Sequence, residues 1–316
     1  MDAEHVTLFA PEPTLHSRRL VPRLDAEARA GALVRVRRGV YVAAEDWLPN
    51  DQQHGTILAA RALQSRAAVP LVFSHRSAAI MLGLPIVGAR DDRLHVTNLD
   101  TTARRSRHGV VWHSTRWPER VEVQQFCGLT ITTPRQTALD LARSASRVTA
   151  FIVADALAQR SAMPSEVREW WHEQLAEWGP ARGTRRALGP LGAVTGLAES
   201  PLESLSLWRM LELGFEMPQQ QVEIETRRGL FRLDFGWQSG TIAGEADGRS
   251  KYGGRESPEC MEQRLWEEKL RHDAVREKLQ AYPRWDWDDA WRGHGLERAL
   301  LEAGVPRLRR PMPVSF

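Results

Sequence analysis

Lysine is scarce in this sequence. Among 43 lysines and arginines only Lys251, Lys269 and Lys278 are lysine, and every basic residue before Lys251 is arginine. Either a GC-rich genome sets this bias, or the chemistry at a particular position requires an ammonium. Cysteine is nearly absent too: Cys127 and Cys260 stand far apart in no metal-ligand spacing. That excludes a disulfide framework and a cysteine zinc site and points to a reducing compartment. No apolar run approaches the length of a membrane span. The opening MDAEHVTLFAPEPT is acidic and lacks a signal-peptide core. The expectation is a cytoplasmic protein with no membrane partner. A net charge of +3 and a pI near 9.2 lean basic, which permits nucleic acid without requiring it. Hydrophobic content of 42% and charged content of 26% are those of an ordinary globular chain, and 316 residues suit two domains better than one.

In HSRRLVPRLDAEARAGALVRVRRGVYV, Leu20, Leu24 and Ala28 recur at helical spacing and Gly31 ends the helix. The alternation of apolar and basic residues that follows, turning at Arg38-Gly39, predicts a short β-ribbon. Helix then basic ribbon suits a winged helix-turn-helix, with Arg35, Arg37 and Arg38 on the wing and Arg18 and Arg19 on the helix as DNA-binding candidates. An edge hairpin kept soluble by arginines reads the same way. Further on, Ser74 can cap a helix ending at Gly83. RLHVTNL and GVVWHSTRW predict strands. Thr133, Pro134 and Gln136 predict a capped helix with a capping box. His75, His95, His108 and His113 show no ligand spacing and read as surface or satisfied core residues. Residues 180–196, rich in Gly, Pro and Arg, mark the best domain boundary, although their middle can also hold a helix.

Beyond that boundary Ser200, Pro201 and Glu203 begin a helix over residues 200–214. QVEIETRRG, LFRLDFGW and TIAGEADG then predict a three-stranded antiparallel meander. A long helix starts after Ser257, PRWDWDD predicts another strand, and the chain ends in helix. This is an α+β layer arrangement. Alternation sets Phe231, Leu233, Phe235 and Trp237 on one face and Arg232 and Asp234 on the other. If the neighbouring strands pair in register, Asp234 and Glu245 converge, with Asp247 one step beyond. Gathered carboxylates repel unless a cation binds, and Mg²⁺ or Mn²⁺ is the usual partner for oxygen ligands. An ammonium beside such an ion, from Lys251 or Lys269, can orient the attacking water or steady phosphorane charge. Structural explanations stand beside this one. Glu203 completes a capping box, Asp247-Gly248 is a common turn dipeptide, and Lys269 fits a solvated helix face.

FRLDF, GEADGRSKY and EEKLRHD resemble the very-short-patch-repair-like branch of the PD-(D/E)xK endonucleases. LVRVRRGVYV, FSHRSAAIMLGLP and GLTITTPRQTALDLAR resemble the AbiEi-type antitoxin and transcriptional-regulator family. Together the two resemblances span nearly the whole chain. They imply a winged-helix module over residues 1–70, an α/β antitoxin-like extension over 71–185 and a restriction-endonuclease-like α/β/α domain over 196–316. They also imply roles at the acid cluster. Glu203 matches the helix acid, Asp234 the second-strand acid and Glu245 the third-strand acid. Asp247 stands where the main superfamily pattern has lysine, so Lys251, or Lys269 from the next helix, takes that part. The expected function is a DNA-binding protein with a metal-dependent endonuclease domain. The alternative is a repressor or antitoxin of a type IV-like toxin–antitoxin system, with a cognate toxin as partner and a catalytically silent nuclease fold.

Overall fold

The computed structural model describes residues 3–10, 17–100, 105–179, 181–248 and 258–308, a mixed α/β chain. It divides into two compact units, Met1–Ala145 and Ser146–Phe316. Residues 180–196, read from the sequence as a boundary, therefore lie inside the second unit.

The first unit opens with α1 (Ser17–Arg29), ended by Gly31 in the left-handed region at φ 82, and the hairpin β1 (Leu33–Arg37) and β2 (Val40–Ala43). Leu24 and Ala28 of α1 pack on Leu33 and Tyr41 of the hairpin, and the Tyr41 hydroxyl donates to Asp25. After α2 (Gln52–Gln64) come β3 (Val72–Phe73), α3 (His75–Met81), β4 (Leu94–Asn98), β5 (Val110–Ser114), β6 (Val123–Phe126), β7 (Leu129–Thr132) and α4 (Pro134–Ser144). The strands form a mixed sheet in the order β5-β4-β3-β7-β6, with β4–β5 and β3–β7 parallel. Val34, Val36 and Val42 of the hairpin pack in the same core as Phe73, Val96 and Ile131. The hairpin and the sheet, expected as separate domains, thus share one core. The expected capping box of α4 is half made. Thr133 accepts from the Gln136 N–H, but the Gln136 side chain donates to Asp140 instead of turning back. Ser74 makes no cap bond at α3; its hydroxyl bonds the His75 ring and accepts from Thr97.

The second unit begins with α5 (Arg147–Arg160), α6 (Pro164–Trp178) and α7 (Thr184–Gly192), which occupies the expected boundary. Then follow α8 (Pro201–Leu213), β8 (Gln219–Thr226), β9 (Gly229–Trp237), β10 (Ile242–Ala246), α9 (Pro258–Arg276), β11 (Arg284–Trp285), α10 (Trp287–Arg292) and α11 (His294–Glu302). The sheet order is β11-β10-β9-β8, a meander extended by β11 parallel to β10. The predicted strand in PRWDWDD is only two residues long. Asp286 caps α10 immediately afterwards in a complete capping box with Asp289, and the helix takes the rest.

Strand β9 does not keep its apolar residues on one face. Phe231 and Leu233 pack with Val222, Ala243 and Val275 of α9, while Phe235 stacks on Trp285. The change falls at Asp234. There the β8–β9 ladder skips a pair, and Gln221, opposite in the register, has φ 55. That left-handed residue breaks the two-residue period of β8 at the place where the ladder is interrupted.

Asp155 of α5, fully buried, joins three parts of this unit. Its Oδ1 accepts from the backbone N–H groups of Thr195 at 3.0 Å and Gly196 at 2.8 Å, and its Oδ2 accepts from Ser204 of α8 at 2.7 Å. Gly196 sits at φ 73 with its missing Cβ 3.1 Å from the Ala158 backbone, so only glycine brings this loop so close to α5. Asp155→Ala leaves buried donors unpaired and should cost roughly 3 kcal/mol in urea unfolding. A loss within about 0.5 kcal/mol, the range of an ordinary surface change, would show that the carboxylate is not the joint.

Candidate functional site

The acids expected at a site in the second unit meet where its sheet splits. Ser200 accepts from the Glu203 N–H, and Glu203 Oε2 accepts from the Glu199 N–H and from Gln221 Nε2, each at 2.9 Å. Burial raises the Glu203 carboxyl above its ordinary value, against the opposing hydrogen bonds from Glu199 and Ser200. Gln221 is the residue opposite Asp234. Strands β9 and β10 pair at Trp237–Ile242, Gly236–Ala243 and Phe235–Gly244, and the pairing ends one step short of Asp234 and Glu245. There β10 leaves β9 and continues beside β11, Glu245 opposite Arg284 and Ala246 opposite Trp285. The Asp234 carboxylate fills the split, accepting from the Ala246 N–H at 2.8 Å. Gly244 permits the close approach of β11, since a Cβ there would stand 2.8 Å from the Trp285 ring.

The acids are met by arginines. Glu245, with 7% of its side chain exposed, accepts from Arg271 of α9 at 2.5 Å through Oε1 and from the Tyr282 hydroxyl through Oε2. Asp247 takes a two-point fork from Arg284, Nε to Oδ2 at 2.6 Å and Nη2 to Oδ1 at 2.8 Å. Glu268 joins both arginines, 3.1 Å from Arg284 and 3.7 Å from Arg271. Burial and the Glu245 charge raise the Tyr282 phenol, which stays protonated and donates. The hydrogen bond to Asp247 raises Arg284. Burial works to lower Arg271, but Glu245 outweighs it and the guanidinium is raised.

Of the candidate lysines, Lys251 lies outside the described residues. Lys269 is exposed and holds its ammonium 5.6 Å from the Trp266 ring centroid, while Glu268 and Arg271 of the same helix reach the acids. The fit to Mg²⁺ or Mn²⁺ is poor as the side chains stand. Each oxygen of Glu245 and of Asp247 has a protein donor, and among the described residues no three His, Cys, Asp or Glu side chains are placed to hold a metal ion.

In the first unit Arg35 and Arg38 are exposed on the hairpin. Arg37 differs: its Nη2 donates to the His108 carbonyl at 3.0 Å, and burial lowers its guanidinium. Arg18 and Arg19 fall in α1, with side chains outside the described set.

The sequence gives no sign of a second cluster. His75 of α3, His95 of β4 and His113 of β5 come together, the His75 and His113 rings stacked with centroids 3.5 Å apart and His95 Nδ1 3.0 Å from His113 Nε2. Parallel pairing of Thr97 with His113 and His95 with Val111 sets the two strand histidines on one face. Their 18-residue separation reads as nothing until that pairing is known. His75 Nδ1 bonds Ser74 and stands 3.8 Å from Asp140 Oδ2 of α4. Burial drives all three rings below their ordinary value, His113 to about 4, and drives the Asp140 carboxyl up to about 7.

No family model matches the chain. Two uncharacterized proteins from strains of Mycobacterium tuberculosis, Rv2248 and MT2308, are each 29% identical over 228 residues, covering 71% of this chain and 76% of theirs. A crystal structure of RV2827C from the same species superposes with a TM-score of 0.37 at 16% identity, over 54% of this chain and 64% of that one, less than two thirds of its length. Among the described residues no helix is long and apolar enough to cross a membrane.

The histidine cluster fixes the sign of a pH effect. A ring held below its unfolded value takes up a proton on unfolding, so its contribution is present above about pH 6.5 and lost as pH falls toward the folded value. Asp140, held above its unfolded value, works the other way, stabilising below about pH 4 and losing that contribution as pH rises toward 7. The charged groups facing the cluster are Asp91 and Arg93 beside His95, Arg76, and Arg143 beside Asp140. Three rings against one carboxyl should make the first unit less stable on acidification. Its urea midpoint should fall between about pH 7 and pH 5, and His113→Gln should flatten the profile. A midpoint that rises over this range would mean that Asp140 dominates.

Proposed function

We propose that the protein binds DNA through its first unit, and that its second unit is a nuclease-like module serving regulation rather than cleavage. Support for DNA binding is the pair of exposed arginines, Arg35 and Arg38, on a hairpin packed against a helix. Guanidinium groups so presented reach phosphates at a duplex surface, where each neutralised phosphate releases counterions. Support for the second part is the element order α8, β8–β9–β10, α9, β11 with acids at the strand split, the order that the endonuclease resemblance implies. The single observation that carries the choice of regulation is the engagement of Glu245 and Asp247 by Arg271, Tyr282 and Arg284. Repressor or antitoxin is the matching class, with a cognate toxin as its further partner. The convergence of Asp234 and Glu245 favours one other reading, a metal-dependent DNA endonuclease.

Gel shift and plasmid nicking separate these readings. Wild type should retard duplex DNA with an affinity that falls steeply with salt. Arg35→Ala with Arg38→Ala should weaken binding roughly tenfold or more without altering the fold, and the salt slope should drop by about two. Supercoiled plasmid with Mg²⁺ or Mn²⁺ should stay intact. Nicking that disappears in Asp234→Ala would establish the endonuclease, and absence of DNA affinity in wild type would end both readings.

A further inference from the structure

We propose that Arg271 and Arg284 are built-in counter-cations, holding Glu245 and Asp247 in the place that a divalent ion takes in a metal-dependent site of this layout. The inference rests on the nuclease-like reading of the second unit and says how its acid cluster is kept. Three carboxylates, Glu245, Asp247 and Glu268, share two guanidinium groups, and the network closes on itself through Glu268.

Geometry makes the replacement specific. An octahedral ion takes carboxylate oxygens at about 2.1 Å and needs their lone pairs free. The Arg284 fork uses both oxygens of Asp247 in one plane, and Arg271 and Tyr282 use one oxygen of Glu245 each. An ion that takes the forked edge of Asp247 has to displace the Arg284 guanidinium. Displacement is opposed because a carboxylate as buried as Glu245 is costly without a compensating charge. The other arginine contacts hold the forks in place. Arg271 Nη2 also reaches the Arg232 carbonyl, and its guanidinium lies 5.6 Å from the Phe231 ring centroid, while Arg284 is fixed by the parallel pairing of β11 with β10. A fork held on both sides is a preorganised partner, which a hydrated ion is not.

The electrostatics agree with the geometry. The acids lie beside cations whose own protonation they strengthen, so both guanidinium groups stay charged through the neutral range. The wild-type cluster is thereby indifferent to divalent ions. Removing a guanidinium creates an unpaired charge that a small divalent cation can satisfy. A merely structural arginine would give the loss of stability without that rescue.

Thermal unfolding of the full chain with Mn²⁺ as probe tests this, and no DNA is present, so the outcome is independent of the DNA-binding reading. Wild type should unfold at the same midpoint with and without Mn²⁺. Arg271→Gln with Arg284→Gln should lower the midpoint by roughly 5 °C or more in chelator, and Mn²⁺ should restore at least half of the loss. Binding of Mn²⁺ by calorimetry should be absent in wild type and present in the variant. If the double variant does not fold, Arg284→Gln alone, at the more open end of the network, replaces it with the same expectation. Mn²⁺ that stabilises wild type as much as the variant would show the acid oxygens to be open to an ion and overturn the proposal. A variant that loses stability and is not rescued by Mn²⁺ would also overturn it, because the arginines would then be packing groups and not counter-cations.

Discussion

A carboxylate that leaves water must be met by positive charge and hydrogen bonds, and at Glu245 this requirement organises the second unit. Glu245 stands where β10 leaves β9 for β11, a point at which no regular ladder can serve both neighbours. Arg271 answers it from α9, Tyr282 from the segment before β11, and Arg284 of β11 answers Asp247 two residues on. The positions of α9 and β11 against the sheet follow from where those groups must reach. Trp285, stacked on Phe235 and donating to Ser206 of α8, closes the opposite face. One split in a small sheet thus fixes helices on both sides of it.

The first unit treats buried ionisable groups in the opposite way. Its three histidines gather with Asp91 3.7 Å from His95, and burial outweighs that charge and keeps the rings neutral. Asp140 is held up by the same burial, with Gln136 donating to one oxygen. Neutralising a titratable group and pairing it are the two ways to tolerate it inside a protein, and they differ in their response to pH. Pairs with arginine persist across the neutral range. Neutral rings fail on acidification. The two units accordingly carry different sensitivities, which follow from residue type and burial alone.

Much of the fold can be read along the chain because the signals are local. The α1 spacing with Gly31, the Arg38-Gly39 turn, the Ser200–Pro201 start and each strand of the meander from Gln219 to Ala246 declare themselves within about a dozen residues. The face of β9 could not be read. Its alternation is regular, and the change falls at Asp234, where the β8–β9 ladder skips the pair opposite Gln221, whose left-handed backbone has no glycine or asparagine to announce it. The domain boundary could not be read either. Gly, Pro and Arg mark residues 180–196 as a break, yet α7 forms there and packs its Ala187 and Leu191 inward. The order of the acids along neighbouring strands was legible, since register follows from the turn. Their arginines were not. Arg271 and Arg284 lie 26 and 37 residues from the acids they hold, on elements whose placement only the tertiary fold decides.

The scarcity of lysine takes on a different meaning at this site. An ammonium is a point charge that satisfies one acid oxygen at a time, whereas a guanidinium presents a planar fork that matches a carboxylate edge. Asp247 is held by two parallel contacts from a single side chain, and a lysine at 284 could make only one of them. Arg271 touches a carboxylate and a carbonyl with one nitrogen while its plane lies near an aromatic ring, a combination that suits a delocalised, weakly hydrated cation. Lys269, two residues from Arg271 along the same helix, rests outside on Trp266. Across the surface either cation serves. In the acid cluster the fork itself has work that an ammonium does poorly, so there the bias and the chemistry select the same residue.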